Sequence, residues 1–150
     1  MKQLHFVFKL SLLCLLLPLF CGCNEEDDIE GIFYERTWYV TAVFQSDGKT
    51  SALDEAEQKK LRENQANYHL IFANGTFKAQ LGKDSYSGKW TVDGKKNAIG
   101  FSLDSNVQGN DVISKAVIKI LREAERYDGT YSFLHIYTDA DTSILFSPGK

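Results

Sequence analysis

Beyond residue 23 the sequence contains no cysteine: Cys14, Cys21 and Cys23 are all three. If the chain is cleaved before Cys23, a single thiol remains, which excludes an intramolecular disulfide and any zinc site built on cysteines. A long apolar run is lacking too. Leu10 to Phe20 is almost wholly apolar, but eleven helical residues rise only about 16 Å against a hydrocarbon layer of about 30 Å, so a permanent span is not expected. Excess positive charge is also missing. Without Lys2 and Lys9 the basic count falls from 17 to 15 against 20 acids, a net of −5, which gives no global pull toward nucleic acid.

What the first residues do contain is an export pattern, with Lys2 and Lys9, no acid, and then the apolar core. It closes on Leu19-Phe20-Cys21-Gly22-Cys23, which resembles the lipobox read by lipoprotein signal peptidase. Phe20 departs from the commoner Leu or Val, and Cys21 is disfavoured because bulky Phe20 precedes it. The resemblance implies a signal peptide over 1–22 and lipidation at Cys23, hence a membrane held through an N-terminal lipid. Next come Asn24-Glu25-Glu26-Asp27-Asp28-Ile29-Glu30-Gly31, five acids in eight residues. Like charges keep such a tract solvated and extended, so 23–31 reads as a tether. Glu25, Glu26, Asp27 and Asp28 resemble the acidic tract that, in one group of Gram-negative bacteria, directs a lipoprotein to the outer face of the outer membrane. A plain charged spacer is the alternative.

Residues 32–150 read as one domain. Trp38, Val40, Ala42 and Phe44 alternate with polar or smaller partners and predict a first strand. The polar stretch from Ala52 to Asn67, opened by Ser51 and Asp54 at capping-box spacing, predicts a surface helix with Glu55 and Lys59 paired. Tyr68 to Ala73 and Thr76 to Leu81 flank Asn74-Gly75, which predicts a tight hairpin with two positive φ angles. Ser85 to Val92 and Ala98 to Leu103 extend the meander. Val112 to Arg126 predicts an amphipathic helix, with Val112, Ile113, Ala116, Val117, Ile120, Leu121 and Ala124 on one side and Lys115, Lys119, Arg122 and Arg126 on the other. Strands at Thr130 to Tyr137 and Thr142 to Phe146 close the chain. The fold class is α+β: a mostly antiparallel sheet or partly open barrel of about seven strands, with one helix packed on it and one on the surface.

Trp38, Phe72 to Phe77, Ser87-Gly88-Lys89-Trp90-Thr91-Val92-Asp93-Gly94, Ile99-Gly100-Phe101, Ile120-Leu121, Leu134 to Tyr137 and Ile144 to Phe146 follow a rhythm that resembles the META domain of bacterial envelope lipoproteins. The family's Gly-Cys-Asn segment is missing, Lys78 to Gly82 standing in its place, and so is its cysteine before the helix; the polar helix over 52–67 is extra. The resemblance implies a non-enzymatic envelope domain, with a lipocalin-like barrel as the alternative.

Chemistry is sparse. His69 and His135 sit in predicted strands and read as strand residues rather than a metal pair. No nucleophile motif surrounds a serine, Ser114-Lys115 being adjacent rather than spaced as Ser-x-x-Lys. Asp139-Ala140-Asp141 lacks the glycine and distal glutamate of a calcium loop and reads as a turn. Tyr39, Tyr86, Trp90, Tyr131, Phe133 and Tyr137 line a groove or fill a core, the core being the commoner use. No metal or cofactor is expected, and no catalysis is inferred. The expected role is a surface-exposed outer-membrane lipoprotein that binds or interacts, its four-cation stripe facing an anionic glycan, lipopolysaccharide or a protein. An envelope-stress role and a hydrolase using unidentified carboxylates are the alternatives.

Overall fold

Alternating apolar residues separated by short turns make neighbouring strands pair with their sequence neighbours, and eight of them close on themselves. In the computed structural model, which describes residues 28–149, β1 (Thr37–Phe44), β2 (Tyr68–Ala73), β3 (Thr76–Leu81), β4 (Asp84–Asp93), β5 (Ala98–Leu103), β6 (Ala124–Thr130), β7 (Phe133–Thr138) and β8 (Ser143–Pro148) form a closed barrel in chain order. Every pairing is antiparallel, and β1 with β8 closes the ring. Three α-helices accompany it among the described residues: α1 (Ile29–Phe33), α2 (Glu55–Glu63) and α3 (Val112–Arg122). The expected signal peptide, Cys23, Glu25, Glu26 and Asp27 lie outside the described residues.

The strand expected at the front is found, but its inward face changes midway. Trp38 and Val40 point inward; a bulge between Val40 and Ala42 then turns Val43 in, leaving Ala42 and Phe44 half-buried. The β2–β3 hairpin has the expected bounds and pairs Ala73 with Thr76. Only Gly75 takes a positive φ there, at 68°, so the turn uses one left-handed residue rather than two.

The sequence expectation failed at both ends of the helices. Asp28 is not part of an extended tether: its carboxylate accepts the Gly31 N–H at 2.9 Å and caps α1, which buries Ile32 and Phe33. The surface helix is shorter than expected, capped by Asp54 and ending at Glu63. Lys59 pairs with Glu63 at 3.8 Å rather than with Glu55.

Helix α3 stops at Arg122, and the tail read as helix is instead an eighth strand. The pattern shifts there from Ile120-Leu121 at helical spacing to inward Tyr127 paired with Ile136. Arg126 therefore lies on β6, and the four-cation helix stripe is not formed. Val112, expected on the packed side, is exposed, whereas Ser114 and Ile118 are buried.

The barrel is filled. Trp38, Leu70, Phe77, Leu81, Leu134, Ile136 and Phe146 pack with Ile113, Val117 and Leu121 of α3 in one cluster. At about 1.5–3 kcal/mol for each large side chain, α3 is a structural part of the core. Its contacts with β5, β7, β8 and α2 place it across one end of the barrel. We call this the distal end; α2, the β3–β4 turn and the β7–β8 turn also belong to it. The opposite, proximal end receives α1, whose Phe33 ring lies 4.9–5.2 Å from those of Phe72, Trp90 and Tyr127. The Trp38 indole N–H donates to Ile32 O at 3.1 Å, fixing α1 there.

Candidate functional site

With the interior packed, surface concavities are left to carry recognition. At the distal end, α2, the 3-10 turn Gln65–Asn67, the β3–β4 turn and the start of α3 enclose an open cleft of about 470 Å³ lined by Lys60, Asn64, Asn67, Tyr68, Gly82, Lys83, Asn110 and Asp111. Its frame follows from local chemistry. Asp111 caps α3, accepting the Ser114 N–H at 2.7 Å. The same carboxylate accepts the Tyr68 hydroxyl at 2.7 Å and lies 3.5 Å from the Lys60 ammonium, which is also 3.7 Å from Glu57. One acid thus ties the helix start to β2 and α2.

The β3–β4 turn begins with Gly82 at φ +70°, as a two-residue turn with glycine first requires. Glycine is needed there for space as well, because a Cβ would sit 2.8 Å from Asp111 Oδ2. The Gly82 N–H donates to Asn67 O at 2.8 Å, holding opposite walls together. Outside this frame, the Asn110 amide donates to Asp84, and the Tyr86 hydroxyl donates to Asp84 at 3.4 Å.

These contacts set the electrostatics. Burial, the largest influence on Asp111, pushes its pKa up, but the Ser114 N–H, the Tyr68 hydroxyl and Lys60 outweigh it and hold the carboxyl below its ordinary range. Burial first, and then the adjacent Asp111, push the Tyr68 phenol well above its ordinary value. An ionised acid held by three donors is a structural hub rather than a base poised for proton transfer.

The other sequence candidates scatter. Lys115 and Lys119 are exposed on α3. Arg122 instead bonds back to the β5–α3 loop, donating to Asp104 O at 3.0 Å and to Val107 O. Arg126 pairs with Asp141 and lies 4.6 Å above the Tyr137 ring. Of the six aromatic residues, Trp90 is core, Tyr86 packs against the core, and Tyr131 is 71 % exposed. Tyr39, Phe133 and Tyr137 are half-buried, so the six do not share one groove.

The two histidines do not converge, since β2 and β7 are separated by β1 and β8, about 14 Å across the sheet. His69 Nδ1 is 2.9 Å from Ala66 O. His135 has more elaborate partners: Nε2 lies 2.9 Å from Ser143 Oγ and Nδ1 lies 2.8 Å from the Tyr137 hydroxyl. That is nucleophile–base spacing, but Ser143 is wholly buried, so its oxygen cannot meet a substrate. Burial lowers the His135 pKa, and Asp128 across the strand pair only partly opposes this. The trio is a hydrogen-bonded ladder. Asp139 to Asp141 form a turn with Asp141 at φ 61°, and no group of three or more potential metal ligands gathers among the described residues.

A second concavity, of about 530 Å³, lies beside Glu30, Tyr34, Glu35, Arg36 and Tyr39 at the proximal end, next to the point where the chain enters the barrel. Sequence reasoning missed the distal cleft because its residues come from four separate segments. Its two local signals were Asn110-Asp111 ahead of an apolar helix and Gly82-Lys83 between alternating strands.

The fold and its surface cleft define a small antiparallel barrel closed at both ends by helices. The chain belongs to the family described as Domain of unknown function (DUF4847), whose model matches residues 24–148. It is similar to the crystal structure of a DUF4847 family protein from Bacteroides vulgatus ATCC 8482, at 20 % identity and a TM-score of 0.64, covering 79 % of this chain and 96 % of that one. An NMR structure of a protein from Burkholderia xenovorans is similar at 15 % identity and a TM-score of 0.54, covering 79 % of this chain and 84 % of that one. No curated protein matches the chain significantly. These likenesses speak to the fold.

Proposed function

We propose that this protein is a lipid-anchored recognition module displayed on the outer membrane surface, binding through its distal end without catalysis. The observation that carries this reading is directional: the chain enters the barrel at the proximal end through α1, while the open cleft lies at the distal end. Cys23 precedes Asp28 by five residues, a reach of at most about 18 Å. A lipid on Cys23 therefore keeps the proximal end near the membrane and turns the cleft toward the medium. The acidic tract at Glu25, Glu26 and Asp27 serves display, and Asp28 adds a cap that starts the folded domain directly behind it. Lys115 and Lys119, without Arg122 and Arg126, remain as an anion-facing pair on α3. The envelope role implied by the META-like rhythm is the second reading, favoured by the filled barrel interior.

Cysteine reporters test the display. Lipidation blocks the sulfur of Cys23, so an introduced cysteine is the free thiol of the mature chain. On intact cells, a membrane-impermeant maleimide carrying a bulky polymer is expected to label Lys83→Cys faster than Asn74→Cys, and Cys23→Ser is expected to leave the membrane fraction. Labelling of Lys83→Cys only after lysis overturns the display, and membrane retention of Cys23→Ser overturns the anchor.

A further inference from the structure

We infer that the distal cleft binds a neutral, polyhydroxylated ligand, namely one saccharide unit of a glycan. The inference rests on the recognition-module reading above and specifies its ligand class. The charges in the floor of the cleft are compensated from within, Asp111 facing Lys60 at 3.5 Å and Lys60 facing Glu57 at 3.7 Å, with Lys83 standing apart at the rim. What remains for a ligand is mostly neutral amide. Asn64 donates one N–H to Lys60 O at 3.0 Å, leaving its oxygen as an acceptor. Asn110 likewise donates one N–H to Asp84, and its oxygen too is left as an acceptor. Asn67, exposed at the wall, retains both an amide donor and an amide acceptor, and Lys83 supplies further donors at the rim.

This mixture decides among ligand chemistries. A free anion would meet the Asp111 carboxylate and two amide oxygens. A cation would meet Lys60 and Lys83. A hydroxyl both donates and accepts, so a ring carrying several of them satisfies the acceptors at Asn64 and Asn110 and the donors at Asn67 and Lys83 together. The volume of about 470 Å³ lies within the usual range for small-molecule sites and exceeds what one sugar ring requires. Gly82 keeps the wall open, because any side chain there would run into Asp111.

The test uses the mature lipoprotein in micelles of a detergent without a sugar headgroup, following the side-chain amide resonances of Asn64, Asn67 and Asn110. The probes are glucose, galactose, mannose, N-acetylglucosamine, glucuronate and inorganic phosphate. At least one neutral sugar is expected to shift these resonances saturably. Asn67→Ala is expected to weaken that binding about tenfold, the worth of one or two hydrogen bonds, with an unchanged melting temperature. Binding of glucuronate or phosphate alone overturns the neutral-ligand assignment. Shifts confined to other residues, or none with any probe, overturn the site. Failure of surface labelling with sugar binding intact sinks the display alone, and the reverse pattern sinks the cleft alone.

Discussion

Replacing Asp111 by alanine removes three interactions at once, and each has a size. Loss of the cap on α3 costs about 1 kcal/mol, within a range of roughly 0.5–2. The Tyr68 hydroxyl loses its acceptor at a residue only 2 % exposed, which costs about 1–3 kcal/mol. The Lys60 pair is partly exposed, with 42 % of the lysine side chain accessible, and adds less than about 1 kcal/mol. Asp111→Ala is therefore expected to lose about 2–4 kcal/mol in urea unfolding at neutral pH, with the melting temperature falling about 3–5 °C per kcal/mol. Asp111→Asn keeps a good cap and an oxygen for Tyr68, losing only the charge, and is expected to cost about 1 kcal/mol or less. Because the folded carboxyl titrates below its ordinary value of 3.8, its contribution is complete above that value and fades as pH falls through the folded pKa. The gap between wild type and Asp111→Asn should close on acidification. An alanine variant as stable as wild type, or an asparagine variant as damaged as the alanine one, would refute the hub.

The ladder at His135 also loses stability on acidification, but in a higher window: a folded pKa depressed by burial means the folded state resists protonation, so stability is full above about pH 6.5 and declines as pH falls below it. His135→Gln should flatten that limb in melts run between pH 5 and 8, and an unchanged slope would show that another group is responsible. Reversing Lys115 and Lys119 to glutamate should alter stability by less than about 0.5 kcal/mol, since both are exposed, while weakening any salt-sensitive attachment to lipopolysaccharide-coated surfaces; a large loss of stability would mean that these lysines pack. Leu121→Ala should cost about 2–5 kcal/mol because the side chain is wholly buried, and a cost under 1 kcal/mol would show that α3 is not part of the core.

Strands were legible wherever alternation and a turn dipeptide coincided. Asn74-Gly75 marked the β2–β3 hairpin to the residue, and the Ala98 to Leu103 strand was equally plain. The first strand hid its bulge, because a two-residue period has no mark for one extra residue at Thr41. The α3–β6 boundary was invisible for a different reason. Glu123, Glu125 and Arg126 are good helix formers, yet pairing of Tyr127 with Ile136 and of Gly129 with Leu134 outweighs local propensity. Ile29 to Gly31 read as tether because acids surround them, although Asp28 supplies a cap for a helix that runs on to Phe33, which anchors in the aromatic cluster. Of the distal cleft, the sequence carries only local marks, Asp111 directly ahead of an apolar helix and Gly82 between two alternating strands. The convergence of Lys60, Tyr68 and Asp111 depends on barrel closure, which brings together residues 43 positions apart.

The seam between β5 and β6 joins at a single register pair, Ala98 with Arg126, whereas the neighbouring β4–β5 and β6–β7 seams each carry six. Beyond that pair β5 runs on beside α3 rather than beside a strand, so helix packing takes over where ladder hydrogen bonds leave off. Amide exchange should therefore be fastest along this line, and the barrel should unzip there before it loses any other edge. An opened seam would bare Phe101 and Leu103 next to unpaired backbone, the kind of template on which a second chain can add a strand. In that light α3 serves as a clasp, and the packing of Val117 and Leu121 protects against aggregation as much as it supports the fold.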